Sequence, residues 1–435
     1  MHFDDVSAEV YTKGKRTMIR QEQEGRSQPL REREYMPLHG IKIVTCEALL
    51  ALPFGTQLLS DFGADVISVE QAAYREDSDT RWRLRTGRHK RRIAVNLRDS
   101  RGQEIVRRLA ARADVFAENF RPGVVEKYKL GYEGLSALNP RLIYVSVSGF
   151  GHREVLESPL LDLASYGPIG EAIGGVAHSI GAPHEGAQAI ALGDIVTTLF
   201  ATIGTLIALR DRDRSGTGQY VDMSMADSLL ALNERSILLH VLSRLQGSSD
   251  RGRDREEPLM TGWGSYDLTA RDGRFVIVLI ESSHWSKFSD VLGHPEWVVD
   301  PRIIDKSTRK AALAEHVVPV VSEWARSKSK FEIARLFQEA GLAAAPVLTP
   351  EDILVEPHFA ARRMLVDVMD EHGAHLKVVG NPVKLSKIEA GRKEETARIA
   401  APGEHTVQIL QTELGMANDE INELLNAGIV KEGKS

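Results

Sequence analysis

From Ile41 to Val147 the chain repeats one pattern: a short apolar run, a turn, then a segment with apolar residues at helical spacing. Ile41–Thr45 reads as a strand and Pro53–Phe62 as a helix with proline in its first turn. Gly63-Ala64-Asp65 makes a turn into a second strand, Val66–Val69. Ile93–Leu97, Val115–Ala117 and Leu142–Val147 are further strands, and Ser100–Ala111 is helical. Strands separated by helices need crossover connections, so the pattern predicts an α/β domain on a parallel sheet.

Beyond Val147 the rhythm loosens. Ala187–Asp213 reads as one long helix or two closely joined, and its apolar stretch, Ile195–Leu209, as a buried core helix. A turn, Arg214–Gly218, leads to a strand at Gln219–Ser224 and a helix from Ala226. The polar stretch Gln246–Pro258 reads as a linker to a second unit. There Ser265–Leu268 and Phe275–Ile280 flank a hairpin turn, Arg271-Asp272-Gly273. Helices follow at Ala311–Ser327 and Lys330–Ala340, and the chain closes with helices Glu404–Leu414 and Asn418–Ala427.

Composition narrows the function. The 435 residues are 42% hydrophobic and 27% charged, with a net charge of −6, as in a soluble globular protein without the basic excess of a nucleic-acid binder. One cysteine, Cys46, excludes an intrachain disulfide framework and a multi-thiolate zinc site, and fits a reducing, cytoplasmic compartment. The first 35 residues are polar and without hydrophobic period. They read as a disordered extension without a secretory h-region, and Met36, where the ordered pattern begins, as the alternative start. Nucleotide, zinc-protease and nucleophile-elbow signatures are missing.

Three features carry candidate chemistry. The basic run Gly87–Arg92 and the turn Glu118-Asn119-Phe120-Arg121-Pro122-Gly123 together suit a phosphate-bearing ligand across the strand ends; separately, each is a solvated face or a helix cap. The third is Asp162, a carboxylate among apolar neighbours in Ser158–Ala164, which is either a cap or a reactive group. Asp194, after Gly193 and at the start of the long helix, is still more cap-like.

Taken in order, these stretches resemble the family III CoA-transferases, the CaiB/BaiF-type group that includes formyl-CoA transferase. The resemblance rests on Pro53–Glu70, Gly87–Arg98, Ala113–Gly123, Asn139–Gly151, Gly216–Asp222, Asp300-Pro301-Arg302 and Gly403–Thr406. It implies CoA transfer from an acyl-CoA to a carboxylic acid, with Asp162 as the nucleophile of a covalent aspartyl intermediate and no metal or redox cofactor. CoA is expected along Leu49, Leu50 and Ala51, along Val95 and Arg98, at Asn119 and Phe120, and at Lys127. Thr261-Gly262-Trp263-Gly264 is the nearest candidate for a mobile flap. The resemblance also implies a homodimer of chains threaded through each other. Each chain has a large Rossmann-like domain over residues 36–235, a small α+β domain with linkers over 236–355, and a C-terminal part, 356–435, returning to the large domain. Leu161 departs from the family's aromatic residue before the aspartate, and Leu50 and Gln71 depart at positions that point away from formyl or oxalyl substrates. Two other readings stand beside this one. The first is an α-methylacyl-CoA racemase, which needs a His–Asp pair although no histidine precedes Asp162. The second is an acyl-CoA-binding relative without turnover.

Overall fold

The computed structural model describes residues 36–72, 80–180, 190–245, 264–305, 307–388, 390 and 397–433. The expected extension over 1–35, the linker Gln246–Pro258 and Thr261–Trp263 of the expected flap lie outside these residues.

Seven strands form the main sheet: β1 Lys42–Cys46, β2 Asp65–Gln71, β3 Lys90–Val95, β4 Val115–Glu118, β5 Ile143–Ser148, β6 Tyr220–Ser224 and β13 Val430–Lys431. Their spatial order is β13-β3-β2-β1-β4-β5-β6. The first six are parallel, and β13 alone runs antiparallel, pairing Val430 with Val95. The order 3-2-1-4-5-6 is that of a doubly wound sheet, with connections leaving in opposite directions from β1 and β4.

Both faces of the sheet are covered, which is why its strands read as unbroken apolar runs. Val44, Phe116 and Tyr144 enter one core, and their neighbours Ile43, Val115 and Ile143 enter the other. Helix Ser100–Ala110 buries Ile105, Val106 and Leu109 in the first core and starts at Asp99, whose side chain accepts the Arg101 N–H. Gly102 is required there, because a Cβ would lie 2.2 Å from the Asn96 carbonyl oxygen. The same core takes Ile409, Leu410 and Leu414 from helix Thr406–Leu414, and Ile421 from helix Asn418–Asn426.

The second core holds helix Pro53–Ser60 and part of the long helix Leu192–Ser215. The long helix is not the buried core helix its composition suggests. Ala201, Ala208 and Leu209 are buried, whereas Leu199, Phe200, Ile203, Leu206 and Ile207 are exposed. By length and composition alone this helix could cross a membrane. Its buried side, packed on the sheet and on helix Pro53–Ser60, marks it as part of the globular domain.

A separate core belongs to the three-stranded sheet β7 Gly264–Ala270, β8 Gly273–Leu279 and β9 Ala343–Pro346. The hairpin turns at Arg271-Asp272 as expected. The helix expected over Ala311–Ser327 is present, and it runs through a π turn at Leu313–Val317 before continuing as an α-helix at Val318–Arg326. Pro319 sits in that second helix's first turn and has no N–H to continue the preceding ladder. A third small sheet joins β10 Leu365–Met369, β11 His375–Val379 and β12 Ala397–Arg398.

Candidate active site

A doubly wound sheet opens a crevice where its connections part, here beyond the ends of β1 and β4. The two loops leaving those strands are tied together by one side chain. Asn119 Oδ1 accepts the Ala48 N–H at 2.8 Å, and Asn119 Nδ2 donates to the Ala48 carbonyl at 2.8 Å. Leu49, next in the chain, is exposed and held at φ 60°, while Leu50 and Ala51 are buried. A cavity of about 170 Å³ opens beside this junction, with Glu47, Leu49, Glu70, Arg83, Arg92 and Phe120 in its wall.

The basic run is neither a solvated face nor an open phosphate cradle. Lys90, Arg91 and Arg92 lie in β3, and Arg88, Lys90 and Arg92 are buried. Lys90 Nζ meets Glu47 Oε1 at 2.6 Å and Thr56 Oγ1 at 2.7 Å, and burial pushes the Lys90 ammonium below its usual range against the pull of Glu47. Arg92 pairs with Glu70, and Arg88 grips Asp61 through two hydrogen bonds of 2.8 and 2.6 Å. Lys90 and Arg92, the two of the run that line the cavity, therefore reach it already paired with carboxylates.

The residues expected to hold CoA separate into two sets. Asn119, Phe120 and the Leu49–Ala51 loop come together at the crevice. Val95 ends β3 with its side chain wholly in the core, Arg98 is exposed beyond it, and Lys127 is exposed on the short helix Val124–Lys127. Among the described residues, no group of three or more His, Cys, Asp or Glu side chains is gathered as a metal would need. Burial pushes the Cys46 thiol far up, so it supplies no thiolate.

The two aspartates differ sharply. Leu161 is buried and turns Asp162 outward; the Asp162 side chain is 88% exposed, with Arg153 Nη2 at 3.5 Å. Asp194 lies half-buried in the first turn of the long helix, where Ala191, at φ 52°, holds the N-cap position without a side-chain cap. Two glycines pack against each other beside it. A Cβ on Gly193 would lie 2.8 Å from the Gly167 carbonyl oxygen, and one on Gly167 would lie 3.5 Å from Asp194 Oδ2. Burial, with the charge of Glu171 behind it, pushes the Asp194 carboxyl up to about 6, opposed by Arg85 on helix Thr80–Thr86. Arg83 and Thr86 of that helix line the cavity. One turn after Asp194, Thr198 Oγ1 accepts the Gly55 N–H at 2.9 Å and reaches the Leu52 carbonyl at 3.3 Å, docking the helix start on the loop after β1. An acid in the first turn of the long apolar helix, directly after glycine, was the available sequence signal; taken alone it reads as a cap.

A second constellation lies under the Asn119–Phe120 turn. Glu118 ends β4, is fully buried, accepts the Phe120 N–H at 2.8 Å through Oε2, and pairs through Oε1 with the Ser146 hydroxyl. Ser146 Oγ lies 3.0 Å from His152 Nε2, and His152 Nδ1 lies 2.8 Å from Asp222 Oδ1. The His152 N–H also donates to Asp222 Oδ2 at 3.1 Å. The sequence leaves His152 unplaced, because its partners come from β4, β5 and β6.

Residues 38–406 match the family model described as CoA-transferase family III. The chain is 32% identical over 404 residues to a succinyl-CoA–D-citramalate CoA-transferase of Chloroflexus aurantiacus, covering 90% of this chain and 97% of that protein. It is 30% identical over 374 residues to a succinyl-CoA:mesaconate CoA-transferase of Haloarcula marismortui, covering 80% of this chain and 90% of that one. Among solved structures, a CaiB/BaiF family protein from Brucella suis superposes with a TM-score of 0.73 at 29% identity, over 87% of this chain and all of that one.

Proposed function

Since the chain belongs to CoA-transferase family III, we propose that it moves CoA from an acyl-CoA donor to a carboxylic acid acceptor through a covalent aspartyl intermediate. The observation that carries the reading is a half-buried carboxylate, Asp194, pushed up by burial and by Glu171 in the first turn of a helix that Thr198, one turn on, docks on Gly55 and Leu52. The resemblance in sequence points to Asp162 as the nucleophile; the burial and neighbours of Asp194 favour Asp194. A carboxylate is a weak nucleophile in water and gains from desolvation and alignment, and the half-burial of Asp194 supplies part of the desolvation.

The steps balance without a metal or redox group. The carboxylate attacks the donor thioester carbonyl, forming a mixed anhydride and releasing CoA thiolate. The thiolate then attacks the aspartyl carbonyl, giving an aspartyl-CoA thioester and the free donor acid. The acceptor carboxylate displaces CoA to form a second anhydride. CoA thiolate attacks its acyl carbonyl, so the new acyl-CoA leaves and the aspartate is regenerated. CoA binding along the Leu49–Ala51 loop and the Asn119–Phe120 turn would supply the energy for alignment. Relatives named for succinyl-CoA make it the first donor to try.

The test is intact-protein mass after brief incubation with succinyl-, acetyl-, propionyl- and longer acyl-CoA, with hydroxylamine trapping. A CoA adduct or hydroxamate on the wild type and on Asp162→Asn, but not on Asp194→Asn, supports the assignment. An adduct lost only in Asp162→Asn returns the role to Asp162, and no adduct with any donor despite CoA binding removes the covalent route. A racemase finds no free base in His152, since both its ring nitrogens are engaged. The pH dependence follows from the direction of the Asp194 shift. Attack needs the ionised form, so kcat/KM is expected to fall as pH drops through about 6. A limb centred near 4 in a stopped assay would count against Asp194.

The same reading includes a homodimer, with the two chains interlocked. Its support is the apolar face formed by Phe200, Ile203 and Ile207 of the long helix together with Leu230, Ile237 and Leu238 of the two helices Met225–Leu232 and Glu234–Leu245. Exposed apolar side chains gathered on three successive helices mark an interface, and a second copy of the chain is the occupant proposed. Sedimentation velocity over a wide dilution series is expected to show dimer throughout. A folded monomer that grows in on dilution would refute the interlocked form.

A further inference from the structure

Glu118, Ser146 and His152, all buried, and the partly exposed Asp222 form a continuous chain from β4 through β5 to β6. Ser146 has a single hydroxyl proton, and this fixes the chain's logic. If Ser146 donates to an ionised Glu118, its oxygen accepts from His152 Nε2–H. The other ring nitrogen, Nδ1, donates to Asp222, and His152 is then an imidazolium. If instead Glu118 carries the proton, it donates to Ser146, Ser146 donates to Nε2, and His152 is neutral. The two arrangements contain the same number of protons and differ in hydrogen-bond direction. They also differ at the surface of the crevice. The Phe120 N–H bonds to Glu118 Oε2, and that bond is stronger when Glu118 is ionised.

We propose that this chain shares one proton and that His152 is a positioning residue, holding Glu118 ionised so that the Asn119–Phe120 turn is set for acyl-CoA. The proposal rests on the CoA-transferase reading for its ligand. When the proton is lost, Ser146, which also bonds the Tyr220 side chain, can donate to Glu118 or to Nε2 but not to both. The groups facing the chain are Cys46 from β1, Tyr144 from β5, Tyr220 from β6, Glu126 from helix Val124–Lys127 and Glu154 from the loop after β5. None of these is cationic, so His152 is the positive charge that compensates Glu118. The two titrations agree in direction. Burial pushes Glu118 up to about 7. Burial alone would lower His152, but its bond to Asp222 and the charges of Glu118 and Asp222 hold it above its usual value. His152 therefore keeps Glu118 ionised below the transition, where Glu118 alone would take up the proton, and above it Glu118 is ionised without help. The advantage of the wild type over His152→Gln in binding CoA is thus largest at low pH and fades as pH rises.

Two measurements test this. Histidine side-chain ¹⁵N NMR of the ligand-free protein, with the resonance assigned by His152→Gln, is expected to show both His152 nitrogens protonated at neutral pH. In Glu118→Gln the His152 midpoint should fall by about one unit or more, since a neutral partner no longer holds the proton. A midpoint that does not move overturns the shared proton. Calorimetric titration with CoA between pH 5.5 and 9 is the second readout. CoA's own ionisations are common to both proteins, so the wild-type to His152→Gln affinity ratio isolates His152. That ratio is expected to fall by ~10-fold across the transition for a one-unit coupling. A ratio below or above one but flat with pH overturns the proposal and leaves His152 a packing residue. Failure of the wild type to bind CoA at any pH would overturn the transferase reading and, with it, the role at the turn. If Glu118→Gln does not fold, the pH dependence of the His152→Gln ratio still decides.

Discussion

Asp194→Asn is expected to abolish CoA transfer, by at least ~10³-fold in kcat, and at the same time to make the protein more stable. The two effects have one origin. The carboxyl is pushed up to about 6 because its ionised form is disfavoured by burial and by Glu171. The folded state therefore binds this proton more tightly than the unfolded chain does. Ionised Asp194 costs stability in full above about pH 6, and the cost shrinks as pH falls from there toward the ordinary carboxylate value. A shift of about two units corresponds to roughly 3 kcal/mol at most, since part of the side chain meets solvent. Asparagine keeps the shape and removes the charge. Thermal unfolding at pH 8 and equal protein concentration should show a higher midpoint for Asp194→Asn, with the difference shrinking by pH 5. Loss of both activity and stability at pH 8 would mean that Asp194 is a structural acid and not a strained reactive one. Asp162→Asn, at an exposed side chain, should leave the midpoint where it is.

The largest loss of stability is expected at Arg88→Ala, about 3–5 kcal/mol by equilibrium urea unfolding. Arg88 and Asp61 are both buried, and the guanidinium makes two bonds to that carboxylate and a third, of 2.8 Å, to the Val379 carbonyl. Asn381 adds one more bond to Asp61 at 3.2 Å. Removing the arginine leaves a buried carboxylate with the Asn381 amide and the nearby His89 ring, and takes away the bond to the Val379 carbonyl at the end of β11. Pairing the change with Asp61→Leu should recover most of the loss, because neither charge is then stranded. Equal destabilisation in the single and double variants would show that the bond to Val379, and not the ion pair, is what matters.

The main sheet was legible because strands buried on both faces leave continuous apolar runs, and Ile41–Val147 is written almost wholly in that pattern. β13 was not legible. Two residues, Val430 and Lys431, carry no pattern, and they become a strand only because β3 offers an open edge. The basic run misled for a similar reason. Period and charge show that Arg88–Arg92 are cationic, but their partners Asp61, Glu47, Asp65 and Glu70 come from neighbouring elements. At the site, the Asn119 turn and the Leu49 loop were recognisable as motifs. Asp194 and His152 were not: one resembles an ordinary cap, and the other acquires its meaning only when β4, β5 and β6 are laid side by side.

The antiparallel edge strand also sets a timetable. During synthesis the first six strands leave the ribosome long before Val430 does, and the whole of the β7–β9 unit is made in between. Until the last turn of chain emerges, β3 presents an open row of amides and carbonyls, and the core beneath lacks Ile409, Leu410 and Ile421. The nascent protein must therefore wait, partly folded and adhesive, for its own tail. A ribosome that stops early yields a chain whose crevice loops are complete and whose sheet is unsealed, a species suited to capture by chaperones or by the matching edge of a neighbour.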